Sequence, residues 1–234
     1  MEAIVLVGGL GTRLGALTRN TPKPMLPIRG TPFLERFLQY LKSCGFKKAV
    51  LATGYKSEVI ESYFQSSSPS LPDIEISLEN EPLGTGGAIA KALEKITSDK
   101  VTIFNGDSYL EVDYKALWDA HLFKQADITI ASRYVDPANR YGVLSYDDHC
   151  RVIAFEEKGI SATGFINGGV YLCHTKSLKE ISKPFNSLPF SFEEDVLTKQ
   201  LSLIKIYHFP SNGFFIDIGV PEDYERAQLE LFTK

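Results

Sequence analysis

The chain has 234 residues, 44% of them hydrophobic and 23% charged, with a formal net charge of −4. That composition excludes a globally disordered chain. The mildly acidic balance excludes a basic nucleic-acid-binding protein, so any phosphate site must be a local cluster of cations. The length is enough to bury a sizeable core, and residues 1–234 read as a single domain without repeats or an interdomain linker.

The opening Met1-Glu2-Ala3-Ile4-Val5-Leu6-Val7 lacks a basic leader, and its apolar run stops at Gly8. No later segment reaches spanning length, so neither a signal peptide nor membrane insertion is expected. Ala3–Val7 is instead a short buried strand. Phe33, Leu34, Phe37, Leu38 and Leu41 recur at helical spacing, and Cys44-Gly45 ends that helix. A strand follows at Ala49–Thr53, a helix at Val59–Phe64 and a strand at Ile74–Leu78. Gly86–Ile96 reads as a helix and Val101–Phe104 as a strand. The Ser66–Ser70 stretch is an exposed connection. This β-α-β-α order predicts an α/β fold with a largely parallel sheet and helices on both faces, and ligands bind such sheets beyond the carboxyl ends of their strands.

The second half is less regular. Strands are expected at Ile128–Ser132, Val143–Tyr146, Val152–Phe155, Gly169–Cys173, Ile204–Phe209 and Phe214–Ile218. Helices are expected near Tyr114–Lys124, Glu193–Leu201 and Pro221–Phe232, the last opening on a proline whose missing N–H costs nothing there. Cys44, Cys150 and Cys173 are odd in number, widely spaced and outside any CxxC pair, which reads as reduced thiols in a cytoplasmic protein. His121, His149, His174 and His208 fall in no metal-binding spacing.

Two motifs near the N-terminus carry chemistry. Gly8-Gly9-Leu10-Gly11-Thr12-Arg13-Leu14 follows the first strand directly. Its glycines allow close approach of the backbone to an anion, and Arg13 adds a planar fork for phosphate oxygens. It matches neither the dinucleotide fingerprint nor the P-loop, and alone it could be a structural turn. In Pro22-Lys23-Pro24-Met25 the flanking prolines should hold Lys23 in extended backbone, pointing a second cation at the same ligand. Alone, that too could be a Pro-rich loop with an incidental lysine.

Taken together, Gly-Gly-x-Gly-Thr-Arg-Leu and Pro-Lys-Pro-Met resemble the opening of the sugar-1-phosphate nucleotidyltransferases. The likeness continues through Glu81-Pro82-Leu83-Gly84-Thr85-Gly86-Gly87, Asn105-Gly106-Asp107, Phe155-Glu156-Glu157-Lys158, Asn167-Gly168-Gly169-Val170-Tyr171 and Phe215-Ile216-Asp217-Ile218-Gly219. The resemblance implies a Rossmann-like, mixed but mostly parallel sheet. It also implies transfer of a nucleoside monophosphate from an NTP to a sugar 1-phosphate, with Mg²⁺ and release of pyrophosphate. Asp107 and Asp217 would hold the metal. Gly8, Gly9, Gly11, Thr12, Arg13, Glu81, Gly84 and Thr85 would meet the nucleotide, with Arg13 and Lys23 on the leaving pyrophosphate. Lys158 would hold the incoming phosphate, although Gly159 stands where many relatives carry proline. Asn167, Gly168 and Glu193 would meet the sugar, while Glu193, Glu194 and Asp195 could equally serve the dipole of a helix N-terminus.

Within the family, the 81–87 run and the segment 54–64 resemble guanylyltransferases acting on D-glycero-α-D-manno-heptose 1-phosphate, which implies GTP as partner and a GDP-heptose for a surface polysaccharide. Mannose 1-phosphate guanylyltransferase and glucose 1-phosphate thymidylyltransferase are the neighbouring alternatives. A non-catalytic nucleotide-sugar-binding module stays open, and so does a homo-oligomer. A glycosyltransferase would carry Asp-x-Asp, whereas Ser108 and Tyr109 follow Asp107.

Overall fold

The computed structural model describes every residue except Leu10, Ser67, Glu157, Lys158, Ser161, Asn186, Ser187, Thr233 and Lys234, and the backbone alone of Thr12. Its strands are β1 (Glu2–Leu6), β2 (Pro27–Ile28), β3 (Thr31–Pro32), β4 (Lys48–Thr53), β5 (Asp73–Leu78), β6 (Lys100–Asn105) and β7 (Ser108–Leu110). They continue with β8 (Ile128–Val135), β9 (Leu144–Tyr146), β10 (Val152–Phe155), β11 (Gly164–His174), β12 (Ile206–Ser211) and β13 (Phe215–Asp217). The α-helices are α1 (Phe33–Ser43), α2 (Ser57–Tyr63), α3 (Gly84–Ala92), α4 (Tyr114–Lys124), α5 (Thr175–Ser182) and α6 (Pro221–Glu230).

Seven strands form the central sheet in the order β12-β8-β11-β6-β1-β4-β5. β1 pairs in parallel with β4 and β6, β4 with β5, and β12 with β8. Only β11 runs against its neighbours β6 and β8, so the sheet is mixed but mostly parallel, as the alternation of elements predicted. The pleat sends alternate residues to opposite faces. Ala3 and Val5 join α1, α2, α4 and α6 in one apolar core, while Ile4 joins α3 and α5 in the other. Helices therefore cover both faces.

The stripe Phe33, Leu34, Phe37, Leu38 and Leu41 is wholly buried on the first face. On the second face the buried face of α3 consists of Gly86, Gly87, Ala88, Ile89 and Ala92. Gly86 lets Phe190 pack against the helix, since a Cβ there would stand 2.1 Å from its ring. α3 stops at Ala92, and a 3-10 turn over Leu93–Lys95 replaces the end of the longer helix expected to Ile96.

Lys23 departs from the extended conformation expected between its prolines. It opens a 3-10 turn, Lys23–Met25, closed by Met25 N–H to the Pro22 carbonyl at 2.8 Å and Leu26 N–H to the Lys23 carbonyl at 3.1 Å. Pro22 and Leu26 are the extended residues, and the two hydrogen bonds outweigh the pre-proline bias. The β2–β3 hairpin that follows is held to α6 at the Pro27 carbonyl, which accepts from Tyr224 Oη and Gln228 Nε2, each at 2.7 Å. Among the described residues no helix is long and apolar enough to cross a membrane. All three cysteines are free thiols.

Candidate active site

A cleft of about 750 Å³ opens at the carboxyl ends of β1, β4, β5 and β6. Gly8 and Gly9 line it after β1, Gly54 and Tyr55 after β4, Glu79 and Asn80 after β5, and Asn105, Gly106 and Asp107 at the end of β6. The size suits a nucleotide-sized ligand. Gly106 is required by close approach, because a Cβ there would stand 2.3 Å from the Leu6 carbonyl oxygen. That contact draws Asp107 against the glycine loop.

Asp217 reaches the same place through a two-stranded antiparallel sheet. β7 pairs with β13 so that Asp217 lies opposite Ser108, and Ile218 N–H donates to the Asp107 carbonyl at 2.9 Å. Two carboxylates distant in sequence are thus set side by side. Burial pushes the Asp217 carboxyl above its ordinary range, and the nearby Asp107 charge pushes it further. Lys23, the Gly219 N–H and Arg13 act in the opposite direction. Lys23 Nζ is 2.6 Å from Asp107 Oδ2 and 3.8 Å from Asp217 Oδ1. Its side chain is only 7% exposed, so it is held there as a buried cation. Gly219 completes the cluster: a Cβ there would lie 2.7 Å from Asp217 Oδ1, 3.0 Å from Lys23 Nζ and 3.2 Å from Arg13 Nη2. Arg13, Lys23, Asp107 and Asp217 therefore converge.

The glycine loop is shaped by a left-handed Gly11, with φ of 63°, and by two short 3-10 turns over Thr12–Thr18 that kink at Gly15. Thr18 Oγ1 donates to the Gly11 carbonyl at 3.0 Å, which pins the loop. Gly8, Gly9, Gly11 and Arg13 all line the cleft.

On the opposite wall, Thr85 and Glu193 form a pair. Thr85 Oγ1 donates to Glu193 Oε2 at 2.7 Å and accepts the Phe192 N–H at 2.8 Å. Glu193 belongs to a π-helical segment, Phe192–Thr198, whose start is capped by others: Ser191 Oγ accepts the Glu194 N–H at 3.1 Å, and Asp195 accepts the Ser191 N–H at 2.7 Å. Of the two roles left open for this acidic triplet, Asp195 performs the capping and Glu193 lines the cleft.

Asn167 lies behind that wall, before a register shift in β11. Its Oδ1 accepts the Gly169 N–H at 3.0 Å, and its Nδ2 donates to Tyr171 Oη at 2.9 Å. The fully buried Tyr171 hydroxyl in turn donates to Glu193 Oε1 at 3.5 Å. Asn167 thus supports Glu193 rather than lining the cleft itself. Gly168 does not line the cleft either, and a Cβ there would stand 2.5 Å from Leu110 Cδ2 and 2.7 Å from the Ala131 carbonyl oxygen. Glu81 and Gly84 line the cleft, Glu81 with an exposed side chain. Lys158 and the side chain of Thr12 lie outside the described residues.

Two contributors were missed in the sequence. Glu79 is half-buried, and one carboxylate oxygen accepts the Leu83 N–H at 2.9 Å. A Cβ on Gly8 would sit 3.3 Å from its other oxygen, so that oxygen faces the glycine loop. Burial pushes the Glu79 carboxyl up. Its position immediately after an apolar strand was the available signal. Tyr171 closes the Asn167–Tyr171 motif and lies in an expected strand, but neither the motif nor the alternation of that strand marks it as the support of Glu193.

The residues 2–234 match the family model described as "Nucleotidyl transferase". The chain belongs to the nucleotidyl transferase family. It is 46% identical over 231 residues to a D-glycero-alpha-D-manno-heptose 1-phosphate guanylyltransferase of Aneurinibacillus thermoaerophilus, covering 99% of this chain and 98% of that one. A protein of the same name from Campylobacter jejuni is 41% identical over 96% of this chain and 97% of its own length. The crystal structure of HddC from Yersinia pseudotuberculosis superposes with a TM-score of 0.87, 38% identity and 97% coverage of both chains. HddC complexed with GMP-PN superposes with a TM-score of 0.86. The cleft of this nucleotidyl transferase thus sits on a fold shared with HddC over 97% of both chains.

Proposed function

We propose that this chain transfers GMP from GTP to D-glycero-α-D-manno-heptose 1-phosphate, releasing pyrophosphate and forming the GDP-heptose. One observation carries the chemistry: Arg13, Lys23 and Asp107 line one cleft at the ends of the parallel strands, with Asp217 3.8 Å from the Lys23 ammonium. The substrate class is supported by full-length similarity to the two heptose 1-phosphate guanylyltransferases and by HddC in complex with GMP-PN. Free thiols agree with a cytoplasmic setting.

The attacking group is an ionised phosphate oxygen, so no general base is needed, and catalysis reduces to positioning and charge neutralisation. Arg13 and Lys23 neutralise the leaving pyrophosphate. The loop backbone at Gly8, Gly9, Gly11 and Thr12 meets the triphosphate, and Lys158 takes the incoming phosphate. Glu79, alongside Glu81, Gly84 and Thr85, accepts from the guanine ring N–H and amino group. Glu193 accepts from a sugar hydroxyl, held by Asn167 through Tyr171.

The donor set fits a hard divalent cation such as Mg²⁺. Among the described residues no cluster of three or more His, Cys, Asp or Glu groups could hold a metal by itself. Asp107 and Asp217 supply two oxygen ligands, and phosphates and water complete the shell, as Mg²⁺ commonly requires. When bound, the ion screens the repulsion between the two reacting phosphates.

The test is pyrophosphate release by purified protein with Mg²⁺, crossing five nucleoside triphosphates with heptose, mannose and glucose 1-phosphates. Release confined to GTP with the heptose phosphate is expected. Release only with another pair overturns the substrate, and silence from folded protein overturns the reaction. Arg13→Ala and Asp107→Ala should each lower turnover at least about 100-fold while keeping the fold.

A further inference from the structure

Lys23 Nζ bridges the two carboxylates, at 2.6 Å from Asp107 Oδ2 and 3.8 Å from Asp217 Oδ1. A divalent ion on the same carboxylates needs oxygens at about 2.0–2.6 Å. An ammonium this close to Asp107 contests that oxygen and repels a second cation. The two cations therefore compete for one place. Lys23 cannot simply withdraw into the wall, because a buried ammonium without an anion is strongly disfavoured. Around it stand Gly11, whose Cβ would lie 3.1 Å from Lys23 Cβ, and Gly219 and Arg13 near its Nζ. These neighbours offer it no anionic side chain. A triphosphate lying along the glycine loop is an anion that can receive it.

We propose that Lys23 is a resident counter-ion of the Asp107–Asp217 pair that passes to the nucleotide phosphates when a divalent cation takes the carboxylates. Cation and nucleotide binding are thereby coupled through this side chain, over and above the phosphate oxygens that the cation shares. The inference rests on the metal reading of the two aspartates given above. Its consequence is a thermodynamic cycle: GTP raises cation affinity, and the cation raises GTP affinity by the same factor. The glycine at 219 belongs to the device, since any side chain there would crowd the ammonium in its resting position.

The experiment is Mn²⁺ binding to the intact chain, by the electron paramagnetic resonance of free Mn²⁺ and by calorimetry, with and without GTP and without sugar phosphate. The wild-type chain should bind Mn²⁺ weakly alone and about tenfold or more tightly with GTP. Lys23→Met should bind Mn²⁺ alone about tenfold more tightly than wild type, and the gain on adding GTP should shrink to the part that phosphate coordination of the ion supplies. Lys23→Gln gives a second neutral variant, and circular dichroism confirms that each is folded. Asp107→Asn separates the two readings. If it loses Mn²⁺ binding while the Lys23 variants match wild type with and without GTP, the counter-ion role is overturned and the metal site stands. If Asp107→Asn binds Mn²⁺ like wild type, the metal site itself is overturned, and the counter-ion role with it.

Discussion

Thr85→Val asks whether the start of α3 and the 192–198 segment form one wall of the cleft. The substitution keeps the shape of the side chain and deletes a hydroxyl with two partners, Glu193 Oε2 at 2.7 Å and the Phe192 N–H at 2.8 Å. Thr85 is exposed, so water can replace part of the bond to Glu193, and that loss is about 1 kcal/mol. The Phe192 N–H is less accessible, and leaving it unmet costs about 1–2 kcal/mol. Together these amount to about 2–3 kcal/mol. For a chain of this length each kcal/mol moves Tm by about 2–4 °C, so a fall of about 4–12 °C is expected. Glu193 also loses its fixed orientation. The KM for the sugar phosphate should rise several-fold while that for GTP changes less. Thr85→Ser retains the hydroxyl and should restore both properties. Thermal unfolding by circular dichroism and steady-state kinetics read the two effects separately. A Tm within about 2 °C of wild type, together with an unchanged sugar-phosphate KM, would refute the reasoning.

Gly219→Ala would place a methyl group 2.7 Å from Asp217 Oδ1, and displacing that cluster should cut kcat about 100-fold with little change in Tm; an unaltered kcat would contradict the close packing. Glu79→Gln keeps an acceptor for the Leu83 N–H but turns an amide toward the base. The KM for GTP should rise about 5- to 150-fold, from about 1–3 kcal/mol, leaving the sugar-phosphate KM unmoved. Stability should fall as pH drops from about 6.5 toward 4, because burial, with the His174 and Lys100 charges, depresses His121 from 6.5 to about 4. In that window the unfolded chain binds the proton and the folded chain does not, a loss approaching about 3 kcal/mol. His121→Asn can preserve the contact to Thr129 and should flatten the pH dependence of denaturant unfolding there. Below the ordinary carboxylate range Glu2 adds to the loss: burial pushes its carboxyl up, but hydrogen bonds from Ser98 and Thr97 prevail and hold it at about 2.

The sequence by itself determined the elements with strong local signals. The apolar run after Met1 became β1, the 33–41 stripe became the buried face of α1, and α4 spans Tyr114–Lys124 as expected. The glycine loop, the lysine between prolines and the two aspartates stood out only together, through their resemblance to the family's motifs, since each alone reads equally as a turn, a loop or a cap. Short elements escaped. β7 has three residues, too few to display a period; the strand expected at Phe214–Ile218 is β13, but its pairing with β7, which brings Asp107 to Asp217, was not legible. α5 was missed as well, since Thr175, Leu178 and Ile181 give only a thin buried stripe before Pro184 breaks the pattern. The reversed course of β11, the ion pair of Lys23 and the support of Glu193 by Tyr171 and Thr85 were decided only in the tertiary structure. A periodic pattern reports that a face is buried, and it says nothing of what buries it. Contacts between residues far apart in sequence depend on strand order and register, which are set when both faces of the sheet are packed at once.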